Sequence, residues 1–181
     1  CLKDLGRQSK KEPQYVDALL TLPMNFASFA RGEKLVSGGL RYAGEAADRA
    51  MEIGYLRGLV QALVIQLRGL VVLDRASEAR ARLGELEAAM SSALDHDPRL
   101  MRMQAEVELC RYQVFKAVGE DGQAEDALDA AWDELQHQVR CLEGSGYERG
   151  FLNNIFQNRE IVMAKGEPSV SQAPASMQSV H

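Results

Sequence analysis

The chain has 181 residues, 46% of them hydrophobic, and a formal net charge of −5. That is enough chain for one domain with a real core, and too apolar a composition for disorder. The acidic balance argues against a direct nucleic-acid binder, which would carry a basic face. Three scattered cysteines (Cys1, Cys110, Cys141) form neither a disulfide framework nor a zinc ribbon and fit a reducing, cytoplasmic setting.

Residues 1–12 are polar and Lys-rich and read as a disordered, frayed lead-in. The start at Cys1 rather than Met predicts a piece of a longer protein, and no signal peptide is visible. Residues 14–30 are apolar at helical spacing, with Tyr15, Leu19, Leu22, Phe26 and Phe29 on one side. Pro23 should kink or split that helix, because it lacks a backbone donor. Gly32 marks a turn. Residues 33–53 form the next predicted helix, with Leu40, Ala43, Ala47 and Ala50 at steps of three and four. Gly38-Gly39 reads either as a propensity cost or as a place where a neighbouring helix comes close. Gly54 is the expected C-cap.

Residues 55–73 are strongly apolar. Leu56, Leu59, Leu63, Leu67 and Leu70 line one side, and Val60, Val64 and Val71 widen it. A helix this apolar is packed on more than one side. Arg57, Gln61, Gln66 and Arg68 interrupt the stretch, so it is no membrane span. Asp74 opens a tight turn. Residues 76–94 bury Ala79, Leu83, Leu86, Met90 and Ala93 and expose Glu78, Arg80, Arg82, Glu85 and Glu87. Asp97 then caps a helix over 98–118 that has Pro98 at its first position. Its stripe is Leu100, Met103, Val107, Cys110, Val114 and Val118. Gly119–Gly122 turns the chain. Residues 123–143 carry Leu128, Ala131, Leu135, Val139 and Leu142. After Gly144-Ser-Gly146 a last helix is predicted from about Tyr147 to Lys165. From 166 to 181 Pro, Ser, Gln and Ala dominate without periodicity, which predicts a disordered tail.

The fold class is therefore all-α, built from antiparallel helical hairpins across residues 13–165. Ala76-Ser-Glu-Ala79 returns as Ala124-Glu-Asp-Ala127. The implied period of roughly 45 to 48 residues exceeds the about 34 of the common tetratricopeptide (TPR) unit. An Ala-rich helix (Ala124 to Leu135), a short Gly turn, Arg149-Gly-Phe-Leu-Asn-Asn and Asn158-Arg-Glu-Ile follow in that order. This order resembles the last repeat of a TPR-like array, of the kind that ends large bacterial ATPase-type regulators and nucleotide cyclases. The likeness is clearest over 120–165, extends more loosely over 33–118, and is absent outside them. The Trp, Gly, Tyr and Pro of the common TPR pattern are missing at matching places. The resemblance implies a right-handed solenoid, with a compact helical bundle as the competing arrangement. It also implies a non-catalytic interaction or regulatory module, C-terminal to a catalytic or nucleotide-binding domain of a bacterial signalling or transcription-regulatory protein. The runner-up function is an effector-sensing domain with a small ligand between its helices.

No catalytic, cofactor or metal set is expected. There is no phosphate loop and no nucleophile elbow. His96, between Asp95 and Asp97, belongs to a helix-start loop. Cys110 reads as a buried small hydrophobe, and Trp132 as half-buried between repeats. Asn153, Asn154, Asn158 and Arg159 read as groups that satisfy exposed helix ends. The first helices of successive hairpins line the concave face of such arrays. That predicts a polar groove formed by Arg57, Gln61 and Arg68 together with Gln104, Glu108 and Arg111, for a protein or peptide partner or an upstream domain. Phe151, Leu152, Ile155 and Phe156 are expected to form one apolar stripe that caps the array over Trp132 and Leu135.

Overall fold

A computed structural model describes residues 13–20 and 33–166, and every described element is helical. The predicted lead-in at 1–12, the Pro23 kink, the Gly32 turn and residues 167–181 of the tail lie outside the described residues. The helices are α1 (13–20), α2 (Glu33–Glu52), α3 (Leu56–Val72), α4 (Ala76–His96), α5 (Gln104–Val118), α6 (Asp121–Arg140), α7 (Glu148–Asn154) and α8 (Phe156–Ala164).

Three of the junctions are the same device. Tyr55 N–H donates to the Ala50 carbonyl (2.8 Å) and Gly54 N–H to Met51 (3.3 Å). Arg75 and Asp74 repeat this on Leu70 (2.9 Å) and Val71 (3.1 Å), as do Glu120 and Gly119 on Phe115 (2.9 Å) and Lys116 (3.3 Å). Each is a Schellman closure, which satisfies the last carbonyls of one helix and reverses the chain within three residues. It requires a left-handed residue, and Gly54, Asp74 and Gly119 have φ of 70°, 59° and 79°. Asp is one of the few non-Gly residues that tolerates this conformation.

These turns set the internal register. Gly119 follows Asp74 by 45 positions. At that spacing Ala79 matches Ala124, Leu83 matches Leu128, Leu86 matches Ala131 and Met90 matches Leu135, and all eight are buried. Matching Ala76 to Ala124 in the sequence puts the repeat three residues out of phase, because alanines on adjacent turns look alike. The turn, not the Ala pair, is the fixed point.

The junction between α4 and α5 differs. Asp97 caps, its carboxylate accepting from Arg99 N–H at 3.0 Å, but the first turn after Pro98 is a 3₁₀ helix, Pro98–Met103. The α-helix begins only at Gln104.

Three apolar clusters follow. The main one joins α3, α4, α5 and α6 through Val60, Leu63, Val64, Leu67, Leu83, Leu86, Val107, Cys110, Val114, Ala124 and Ala127. A second joins α1, α2 and α3 through Val16, Leu19, Leu20, Ala46, Ala47, Ala50 and Ala62. A third sits under the C-terminal helices, where Ala105, Leu109, Ala131 and Leu135 meet Ile161 and Val162. α3 therefore has neighbours on several sides, as its apolar composition requires.

Close helix approach occurs at two glycines of α3. A Cβ on Gly69 would lie 2.6 Å from Leu40 Cδ2, and one on Gly58 would lie 2.5 Å from the Tyr55 ring and 2.8 Å from Val16 Cγ1. Gly38 has open space around its Cβ position, so of the two readings it carries only the propensity cost. Gly58→Ala should destabilise the chain by about 1 kcal/mol, overpacking outweighing the gain in helix propensity. Gly84, with nothing near its Cβ position, should gain up to about 1 kcal/mol as Ala. Paired thermal melts of the two variants check both signs.

The last helix is not continuous. Ile155 is extended (φ −86°, ψ 120°) and divides α7 from α8. Extension there removes the Phe151 carbonyl from its helical partner, the Ile155 N–H. The buried Asn158 side chain replaces it, its amide donating to the Phe151 carbonyl at 3.0 Å.

Candidate functional site

The structure divides the six polar residues expected to share one groove. Gln104, Glu108 and Arg111 do come together on α5. Gln104 Nε2 donates to Glu108 Oε1 (2.8 Å), and Arg111 Nη1 donates to Glu108 Oε2 (2.8 Å). Glu108 is buried, and Arg111 lies 3.1 Å from Glu87 on α4. Arg111 and Arg80 both stand over the Phe115 ring, at 5.7 and 5.1 Å, and Arg80 Nε donates to both Glu120 carboxylate oxygens (3.0 and 3.1 Å). These groups fasten α5 to α4 and to the start of α6 rather than facing an open channel.

Arg68 is committed elsewhere. Its Nη2 donates to Glu160 Oε2 on α8 at 2.6 Å, and its guanidinium stands 5.6 Å from the centre of the Phe156 ring. It also acts on the Glu106 carboxyl. Glu106 lies two residues before Glu108, about 200° round the helix, so Arg68 and Glu108 serve different sides of α5. Gln61 is half-buried, and the exposed Arg57 lines a cavity at the far end of α3. A single groove lined by all six is not formed, because the long polar side chains pair across helices instead of facing the same space.

Glu106 is the most perturbed carboxylate described. Burial pushes its carboxyl above the usual carboxylate range, opposed in part by the Gln157 amide (3.1 Å) and by Arg68, while Glu160 adds to the rise. The folded chain therefore binds this proton more tightly than the unfolded one. The associated stability is present below the ordinary Glu value and is lost as pH rises through the folded value. Glu106→Gln keeps an acceptor for Gln157 and removes the buried charge. It should raise the melting temperature at pH 7, with the gain shrinking as pH falls through the carboxylate range; melts across that range check the sign.

At the C-terminal end, Phe151 and Leu152 pack half-buried against the third cluster, beside Trp132 and over Leu135. Ile155 does not join them. It is 40% exposed, because the chain is extended there. Phe156 is half-buried between Arg68 and Arg159 (5.7 Å). The deepest contacts come from Ile161, Val162 and Asn158, which the expected stripe did not include. The signal for Ile161 and Val162 was an apolar pair directly after the polar run 157–160.

An open apolar concavity lies between α2 and α4, across α3. Ala47, Leu59, Leu63 and Ala89 form its floor, Asp48, Glu85 and Arg82 its charged rim, and its volume is about 410 Å³. Met51 stands at its edge, 64% exposed. Gln66 anchors the floor, donating to the Ala43 carbonyl (3.1 Å) and accepting from Arg82 (2.7 Å).

Cys110 is fully buried, its Sγ 3.9 Å from the Val64 carbonyl oxygen, and burial pushes the thiol up to about 12. It is a packing residue rather than a nucleophile. His96 Nδ1 lies 2.8 Å from the Ser92 carbonyl oxygen of its own helix. Among the described residues no three His, Cys, Asp or Glu converge as a metal site, and no helix is long and apolar enough to cross a membrane. Comparison of the chain with family models, curated proteins and solved structures returns no match.

Proposed function

We propose that the chain is a non-catalytic protein-interaction or regulatory module, its hairpins stacked as a TPR-like right-handed solenoid. Its partner is a protein or peptide, or a neighbouring domain of the same polypeptide. The resemblance to bacterial regulators and cyclases supplies the setting: a cytoplasmic signalling or transcription-regulatory protein.

The groove across α3 carries this reading. It has an apolar floor, charges of both signs on its rim, and an exposed Met51 at its edge. Two helices flank a third, which leaves a trough shaped for a partner helix with an apolar face. Methionine suits such a surface because its flexible side chain adapts to the shape of what it meets. The 45-residue recurrence of the turns and buried positions supports the stacked arrangement.

Asp48 and Met51 are both exposed, so the double variant Asp48→Arg, Met51→Lys should fold normally. The reading expects a partner retained by the wild-type chain to be released by this variant, measured by affinity capture with melting curves as the folding control. Equal retention by both chains would place the partner elsewhere.

A further inference from the structure

A second cavity, of about 570 Å³, opens where the α2–α3 turn meets the junction of α4 and the 3₁₀ helix. Its lining is unusual for an acidic chain. Arg57, Arg99, Arg102 and His96 line it, and Asp97 is the one acidic residue that does so. Asp97 is already engaged, its carboxylate accepting from Arg99 N–H. The three guanidiniums are exposed, and among the described residues none has a carboxylate partner. Three arginines without a carboxylate partner among the described residues are thus gathered on one concavity.

The backbone brings them there. In a 3₁₀ helix residues three apart eclipse, so Arg99 and Arg102 project from one side of Pro98–Met103. Arg57 comes from the first turn of α3, across the cavity. The remaining walls are apolar. Ala93 and Met103 are buried, Leu56 and Leu100 half-buried. Tyr55 adds an aromatic ring held in place by its hydroxyl, which donates to Asp17 at 3.1 Å.

We propose that this cavity binds a small phosphorylated molecule of nucleotide size. Guanidinium forks match phosphate oxygens and hold them by charge-assisted hydrogen bonds. The volume lies within the range of small-molecule sites and far exceeds what a bare phosphate fills. The apolar and aromatic walls supply a surface for the rest of the molecule. This goes beyond the interaction-module reading and does not rest on it, since the α2–α4 groove is a separate concavity.

Calorimetric titration of the full chain with adenosine monophosphate tests it, alongside adenosine, inorganic phosphate and a Glu-rich peptide. The nucleotide should bind in the millimolar range or tighter, and adenosine and inorganic phosphate each at least about tenfold more weakly. The triple variant Arg57→Gln, Arg99→Gln, Arg102→Gln should lose about tenfold or more while melting as the wild type does. If the triple variant melts early, the three single variants carry the comparison with the same two outcomes. The proposal is overturned by absence of nucleotide binding at millimolar concentration or by equal binding to the variants. It is also overturned if inorganic phosphate or the peptide binds as tightly as the nucleotide.

Discussion

Leu63→Asp and Val107→Asp should each abolish the cooperative thermal transition. Both side chains lie in the main cluster, 5% and 2% exposed. An unpaired carboxylate in such a place costs several kcal/mol even when it takes up a proton, and the lost apolar burial adds about 2 kcal/mol. The sum approaches the whole stability of a domain, about 5–15 kcal/mol. Both residues belong to helices that hold the two hairpins together, so local unfolding has nowhere to stop. Circular dichroism melts decide the matter, and native-like variants would show that the core has been misplaced.

Deleting residues 147–165 should produce a chain that aggregates. Ile161 and Val162, with Phe151 and Leu152, cover Ala105, Leu109, Ala131, Leu135 and Trp132. Removing them uncovers an apolar face spanning α5 and α6, and terminal repeats without a polar outer surface are insoluble. The deletion also strips Arg68 of Glu160, leaving a half-buried cation. Within the intact chain Ile161→Ala should cost about 3 kcal/mol, because its side chain is fully buried. Phe151→Ala should cost less, because Phe151 is only partly buried. Light scattering of the deletion and denaturant melts of the two point variants give the comparison.

The helices were legible because each buried stripe repeats at three and four residues. Ala79, Leu83, Leu86, Met90 and Ala93 on α4 are all buried as expected. So were the turns, which carry Gly or Asp where the backbone must turn left-handed. Four features were not legible, for different reasons. The break at Ile155 has no Gly or Pro to announce it; it depends on Asn158 supplying the missing hydrogen bond. Ala105 and Leu109 form a second buried face on α5, hidden because one helix can satisfy its main stripe and still be covered from behind. The polar residues misled most. Arg68 and Glu160 are 92 residues apart, so no local pattern could show that a side chain suited to a partner groove is used to hold the last helix. The groove between α2 and α4 is lined by small and apolar residues that the sequence presents as ordinary core.

Photo-crosslinking from position 51 tests the central claim most directly. A benzophenone side chain replaces Met51 in the full gene product, in its own cells, with the same substitution at the exposed Glu125 on α6 as control. If the α2–α4 groove receives a partner, position 51 should yield a discrete adduct, inter- or intramolecular, that position 125 does not. The Asp48→Arg substitution should weaken it. No adduct from position 51, or the same adduct from both positions, would contradict the assignment of this groove as the binding surface.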